Sequence, residues 1–204
     1  GVLVDTKKIH FDALNTALRS AKIDPISFKD HLNIYDGLPT IEKIKLLNKK
    51  KKIGDKIIKK IIKIKQQNTT NLLNQNIKFN SKINKIISKL SKKYKICVAT
   101  NAVKKTLNIC LNKLKIKKFL TSSFSNEDVL NNKPHPEIYL KCLVSMGLKP
   151  SETVIFEDSS HGVLAAQESG CNLFTVKSLS DINYSNILSF IKSLSNNKKI
   201  IKKV

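Results

Sequence analysis

Arginine is almost absent from this 204-residue chain: Arg19 is the only one, so the formal charge of +23 is carried almost wholly by lysine. Reading base edges and gripping phosphates with paired bonds both favour arginine's planar fork of donors. Clustered lysines can still hold a nucleic-acid backbone without sequence preference, by releasing its counterions. Lysine, isoleucine and asparagine are abundant together, however, as in proteins encoded by AT-rich sequence. We therefore assign the basicity to compositional drift rather than to a nucleic-acid partner; solubility is its surer consequence.

The chain also lacks any run of about 18 uncharged apolar residues, and its N-terminus lacks the basic, apolar and small-residue order of a secretory signal. Both absences point to a soluble cytoplasmic protein with no membrane partner. Cysteine is sparse: Cys97, Cys110, Cys142 and Cys171 lie far apart with no CxxC pair. That spacing argues against a zinc site and against the disulfide framework of a small secreted domain. Each cysteine sits in an apolar-periodic segment, so buried, reduced thiols are expected. With 41% apolar residues, the length suits one domain or a core with one insertion.

What is present is an alternation. Residues 81–204 switch between short apolar runs and amphipathic stretches, the pattern of strands and helices wound into a parallel sheet. Ile83, Ile86, Ile87 and Leu90 repeat at helical spacing before the buried run Ile96, Cys97, Val98, Ala99. Val103, Leu107, Cys110, Leu111 and Leu114 mark the next helix, followed by a short strand around 119–124. Tyr139, Leu143 and Met146 mark another, punctuated by Gly147 and Pro150 before a strand at 153–156. A helix from His161 to Ser169, a strand at 173–176 and a helix through Ile187, Leu188, Ile191 and Leu194 complete the series. The lysine-rich end at 196–204 has little to bury and reads as a frayed tail.

Residues 9–80 have helical periodicity throughout and no convincing strand. Ala13, Leu14, Ala17 and Leu18 make one apolar face, and Ile57, Ile58, Ile61 and Ile62 make another, separated by Lys49 to Lys52 and Gly54. The eleven lysines between Lys43 and Lys65 are expected on the solvated side of these helices. The fold class is thus α/β: a Rossmann-like parallel-sheet core at 1–8 and 81–204, flanked by helices, with an inserted α-helical module at 9–80.

In such a sheet, ligands bind beyond the carboxyl ends of the strands. Three polar groups fall there. Thr100 and Asn101 end the first buried run, where a hydroxyl and backbone N–H groups could hold a phosphoryl oxygen or simply make a turn. Lys133 lies in Asn-Lys-Pro-His-Pro, where two prolines stiffen the backbone, and could offset phosphate charge, although most lysines here are solvated. His135 in that loop reads as a hydrogen-bonder. Glu157 and Asp158 are adjacent carboxylates that suit a hard cation such as Mg²⁺, or cap the following helix.

In order along the chain, these pieces resemble the haloacid-dehalogenase-like hydrolases. GVLVDTKKIH resembles the stretch after that family's nucleophile motif, Asp-x-Asp-Gly; VATNA resembles its second motif, NNKPHPEIYLKCL its third and VIFEDSSHGVLAAQESGC its fourth. The resemblance implies a Mg²⁺-dependent phosphatase of a small phosphorylated metabolite, working through an aspartyl-phosphate intermediate. Thr100 and Asn101 would bind phosphate, Lys133 would neutralise it, and Glu157 and Asp158 would serve the metal, with Glu157 orienting ligands or Lys133. Asp5, Thr6 and His10 would shape the nucleophile loop.

The position of the helical module is similar to the cap of the phosphoglycolate phosphatase and β-phosphoglucomutase branch. Its substrate loop would be Tyr35, Asp36, Gly37, Leu38, Pro39 and Thr40; a turn followed by a helix-capping Thr40 is the plain alternative. Sugar mutases of that branch carry an arginine where this chain places Thr40, which favours a phosphatase over a mutase. Both aspartates of Asp-x-Asp-Gly would precede Gly1, and the chain starts without methionine. The expectation is an N-terminally incomplete sequence lacking the first core strand, inactive as it stands and active when extended upstream. Two further readings compete: a catalytically inactive homologue, and a basic nucleic-acid-associated protein whose binding weakens steeply with salt.

Overall fold

Two short parallel ladders organise the chain. In the computed structural model, which describes residues 1–51 and 53–201, β1 (Cys97–Ala99) pairs with β2 (Ser122–Phe124), and β3 (Val154–Glu157) pairs with β4 (Asn172–Thr175). Alternate side chains of these strands point to opposite faces, and helices cover both. Val98, Phe156 and Phe174 pack on the side of α5 (Ser81–Leu90), α6 (Lys104–Lys113) and α9 (Tyr184–Ile201). Ala99, Ile155 and Leu173 pack on the side of α7 (Glu137–Met146) and α8 (Ser160–Glu168). The result is a Rossmann-like α/β fold. Covered by helices on both faces, β1 and β3 read as short apolar runs in the sequence.

Local chemistry sets the helix ends. The Asn80 side chain accepts the Ile83 N–H to start α5, and the Ser159 hydroxyl accepts the Gly162 N–H at 3.1 Å to start α8. Helix α7 stops at Gly147, whose φ of 60° is left-handed. Glu157 is the last residue of β3 rather than the first beyond it, because its carbonyl accepts the Val176 N–H at 2.7 Å and carries the ladder on. The strand expected at 119–124 is shorter than its apolar run, since residues 117–119 form a 3₁₀ turn.

No strand occurs among the described residues before β1. Helix α1 (Lys7–Ser20), the single turn α2 (Phe28–Asp30), a π-helical turn at His31–Tyr35, α3 (Thr40–Lys51) and α4 (Asp55–Asn76) succeed one another. Leu14, Ala17 and Leu18 of α1 bury against Ile44 and Leu47 of α3 and Ile61 of α4, while Ile57 stays 43% exposed. Helix α4 also reaches α6, where Gln66 Nε2 donates to the Thr106 hydroxyl at 3.3 Å and Lys113 Nζ donates to the Asn74 carbonyl at 2.8 Å.

Two of the eleven lysines expected in solvent are not there. Lys43 is 4% exposed and Lys65 is 5% exposed. Lys43 precedes Ile44 on the inner side of α3, and Lys65 lies one turn after Ile61 on the inward stripe of α4 that continues to Thr69 and Leu73. Periodicity put them inside; their charge alone suggested outside. The cysteines are all free, Cys142 and Cys171 buried, Cys97 and Cys110 half-buried. Of the lysine-rich end, α9 runs to Ile201; residues 202–204, like Lys52, lie outside the described residues. No helix among the described residues is long and apolar enough to cross a membrane.

Candidate active site

The strands β1 and β3 run parallel to their own partners, and among the described residues each pairs on one side only. Between them lies a cavity of about 1110 Å³, lined by Val98 and Ala99 of β1, Ile155 and Phe156 of β3, and the polar residues that follow both strands. Thr100, Asn101, Lys133, Glu157 and Asp158 all line it, as do His10, Gly37 and Thr40 from the helical side. Groups more than fifty residues apart in sequence thus share one space.

Lys133 makes the central connection. Its ammonium donates to the Ala99 carbonyl at 3.2 Å and to the carboxylate of Glu157, so it bridges the carboxyl ends of β1 and β3. Both side chains of this pair are over nine-tenths buried. The Tyr139 hydroxyl donates to the same carboxylate oxygen. Burial alone would raise the Glu157 carboxyl, but the charge and hydrogen bond of Lys133, aided by Tyr139, hold it below the usual range. Burial and the Glu157 charge together push the Tyr139 phenol up, which keeps it a donor.

The second oxygen of Glu157 accepts the Asp158 N–H at 3.2 Å and faces the Ser159 hydroxyl at 3.4 Å. Its carboxylate is fully engaged, which leaves Asp158 as the member of the pair free to meet a cation. Asp158 already meets one, Lys7 Nζ, at 3.3 Å. Burial would raise the Asp158 carboxyl, and neighbouring positive charge, Lys7 included, more than reverses it. Burial in turn would lower Lys7, but Asp158 and Asp36 raise it. The donor set at this place therefore fits a hard cation. Among the described residues no three carboxylate, histidine or cysteine side chains converge as ligands, so further donors would come from elsewhere or from water.

Thr100 accepts the Ala102 N–H on its hydroxyl at 3.1 Å, the turn geometry the sequence allowed as an alternative. Asn101 acts as a clamp. Its amide nitrogen donates to the Gly37 carbonyl at 2.8 Å and the Lys133 carbonyl at 3.0 Å, and its oxygen accepts the Lys133 N–H at 3.1 Å. It joins the loop ahead of α3 to the lysine loop. Asn101→Ala is expected to cost about 1–3 kcal/mol, because the half-buried backbone groups it satisfies lose their partners; urea unfolding measures it.

Gly37 has a left-handed φ of 76°, and an added Cβ there would stand 3.2 Å from that of Ser159. The loop at 36–39 thus closes against the start of α8, while Thr40 opens α3. The loop's Asp36 lies 3.8 Å from Lys7. His10 is half-buried, with its Nδ1 3.5 Å from Lys65 Nζ. Burial, with the positive charges of Lys65 and Lys43, depresses its pKa well below the ordinary value, so the imidazole is neutral. Thr6 precedes α1 without a side-chain cap, and Asp5 accepts the Lys7 N–H at 3.0 Å. In the lysine loop, His135 Nδ1 accepts the Glu137 N–H at 3.2 Å.

Sequence reasoning missed Tyr139, Lys7, Lys43 and Lys65. Tyr139 read as one apolar mark on α7, and nothing local shows that its hydroxyl meets Glu157. The two lysines carried a usable signal, their place on apolar stripes.

Comparison with known proteins supplies a lineage for this arrangement. The family model of haloacid dehalogenase-like hydrolases matches residues 1–176. A phosphorylated carbohydrates phosphatase of Thermotoga maritima is 30% identical over 173 residues, 83% of this chain and 78% of that protein. A pyrophosphatase of Anoxybacillus flavithermus is 33% identical over 79 residues, a region spanning 39% of this chain and only 37% of that relative. Among solved structures, β-phosphoglucomutase from Clostridium difficile superposes with a TM-score of 0.81 at 22% identity, covering 98% of this chain and 95% of that one. At that identity the likeness speaks for the fold alone.

Proposed function

Because the chain belongs to the haloacid dehalogenase-like hydrolases, we propose that it is a Mg²⁺-dependent phosphatase of a small phosphorylated metabolite, of the sugar-phosphate or phosphoglycolate class. The bridging of β1 and β3 by Lys133 carries this reading. One ammonium, held at Ala99 and Glu157 where two strand ends meet, offers positive charge to a phosphoryl group on Thr100. Thr40 at the loop position where mutases of this family carry arginine, and a phosphatase among the relatives, support hydrolysis over transfer to a sugar.

The chemistry follows from charge. A carboxylate must attack an already anionic phosphoryl group, and their repulsion has to be cancelled. Lys133 supplies one fixed positive charge; Glu157 and Tyr139 keep it aimed; Asp158 would hold Mg²⁺, which when bound screens the phosphoryl oxygens. We assign the attacking carboxylate to residues ahead of Gly1. The apolar groove between the unpaired edges of β1 and β3 supports this, because it suits a further parallel strand ending beside Asp158, where the Gly1 amine already sits. The helices of 9–80 act as a cap over the site, with Asp36 to Thr40 as its substrate loop, and the enzyme works in the cytoplasm.

The test is phosphate release from para-nitrophenyl phosphate by the protein carrying its upstream residues. Chelation should abolish turnover and Mg²⁺ restore it. Asp158→Asn should raise the half-saturating Mg²⁺ concentration at least about 10- to 100-fold. Turnover that ignores both chelator and substitution would refute the assignment.

A further inference from the structure

The sulfurs of Cys97 and Cys142 lie 3.1 Å apart, although 45 positions separate them in sequence. Cys97 opens β1 and Cys142 sits in the middle of α7, so only the packing of helix on strand brings them together. The Ser122 hydroxyl, from β2, donates to the Cys97 sulfur at 3.2 Å and lies 2.8 Å from the hydroxyl of Ser145. Ser145 is exposed and Cys97 half-buried. Two hydroxyls thus lead from the surface to the thiols on the β2 side of β1, the side turned from the groove that faces β3.

Peroxides oxidise thiolates, and a second thiol within reach converts the product into a disulfide. The Cys142 contact and the Ser122 hydroxyl hold the Cys97 thiol below its ordinary pKa, against the effect of burial. The Cys97 contact and burial push Cys142 the other way. Cys97 is therefore the sulfur that reacts first, and Cys142 the one that follows.

We propose that Cys97 and Cys142 form a peroxide-sensitive dithiol, whose closure to a disulfide slows the neighbouring phosphoryl site. The Cys97 sulfur attacks one oxygen of hydrogen peroxide, the O–O bond breaks, and the other oxygen leaves as water with the thiol proton. Cys97 is then a sulfenic acid. The Cys142 sulfur displaces its hydroxyl, which leaves as a second water with the Cys142 proton. Two electrons pass from the two thiols to one peroxide. Disulfides in the cytoplasm are mostly transient and redox-sensing, which suits thiols that are free in the resting protein.

The same two elements aim the lysine. Two residues beyond Cys97, the Ala99 carbonyl accepts from Lys133; one turn before Cys142, Tyr139 donates to Glu157. A disulfide bond is about 2.05 Å long, so closing the pair takes up about 1 Å between β1 and α7. Cys142 is only 6% exposed, and close-packed interiors pass such shifts to their neighbours. Displacement on that scale around an aimed charge costs about 10- to 100-fold in rate. The loss of rate rests on the phosphatase reading above; the thiol pair itself does not.

The protein carrying its upstream residues is treated with hydrogen peroxide, its free thiols are alkylated after unfolding, and its peptides are mapped by mass spectrometry before and after reduction with dithiothreitol. One cross-link joining Cys97 to Cys142 is expected, with Cys110 and Cys171 alkylated. Release of phosphate from para-nitrophenyl phosphate should fall about 10- to 100-fold as the cross-link forms, and dithiothreitol should restore it. Cys97→Ser and Cys142→Ala should each keep turnover within about threefold of the reduced parent and lose the response to peroxide. The mapping uses the parent alone, so it decides the pair even where a variant folds poorly.

Thiols that stay free, oxidation of Cys97 that ends at the sulfinic acid, or a cross-link from Cys142 to Cys171 overturns the pair. A complete Cys97–Cys142 cross-link with unchanged turnover overturns the switch, as does an equal loss of activity in the variants. A reduced protein with no phosphatase activity strikes the phosphatase reading and the switch with it, whereas the cross-link map still decides the pair.

Discussion

Lys133→Met is expected to unfold about 3–5 kcal/mol more easily than the parent, because it strands the Glu157 carboxylate at 6% exposure with no countercharge. The same change should lower Mg²⁺-dependent phosphate release by about 10²- to 10³-fold, the scale of losing one aimed positive group from a transition state. The two losses separate in a double variant. Lys133→Met with Glu157→Gln removes the orphaned charge but keeps an acceptor for the Tyr139 hydroxyl, so it should recover most of the stability and none of the activity. Urea unfolding and steady-state turnover of the single and double variants check it. A Lys133→Met protein as stable as the parent would mean that the buried pair does not exist.

Gly162→Ala should behave against the usual rule. Alanine is favoured over glycine in a helix by about 1 kcal/mol, and Gly162 lies in the first turn of α8. Yet a Cβ built there overlaps the carboxylate of Glu157. Glu157 cannot swing away cheaply, since Lys133, Tyr139 and the Asp158 N–H all hold it. The substitution is therefore expected to destabilise by about 1–3 kcal/mol and to lower turnover by displacing the group that aims Lys133. Exposed Gln167 on the same helix is the control: Gln167→Ala should be close to neutral. Adding Glu157→Asp, whose shorter side chain vacates the space, should return part of the stability lost at Gly162. A Gly162→Ala protein more stable than the parent would show that α8 does not press on Glu157.

Both expectations come from one feature. A carboxylate at a strand end is held by a lysine from a loop, a tyrosine from a helix and a glycine that leaves it room. The cost of burying the pair is offset only while all its hydrogen bonds are made. These bonds fix the positions of Lys133 and Glu157 at the edge of the cavity. Asn101 serves the same framework: its amide spends its donors on Gly37 and Lys133, tying the helical side to it.

Much of the candidate site was legible in the residues, in that Thr100, Asn101, Lys133, Glu157 and Asp158 line one cavity. Thr100 and the acidic pair Glu157–Asp158 stand at the ends of apolar runs, and a run of four apolar residues reads as a strand whatever it packs against. Lys133 stood out through the two prolines that follow it, Pro134 and Pro136. Asp158's availability and Glu157's engagement did not show, because adjacent carboxylates look alike in a sequence. Thr40 opening α3 followed from local turn chemistry, whereas the approach of Gly37 to Ser159 joins segments 122 positions apart and has no local sign.

By itself the amino-acid order determined the alternation of strands and helices, the helical stretch ahead of β1 and the strand ends that carry polar groups. Those features arise from the period of apolar residues and from capping, which act over a few neighbouring positions. Only the tertiary structure decided which partner each charge has. Lys133 finds Glu157 and not Asp158; Lys43 and Lys65, two lysines among eleven in one segment, turn inward. An ionisable side chain takes its character from the dielectric and the charges around it, and elements distant along the chain supply those only once they have packed together.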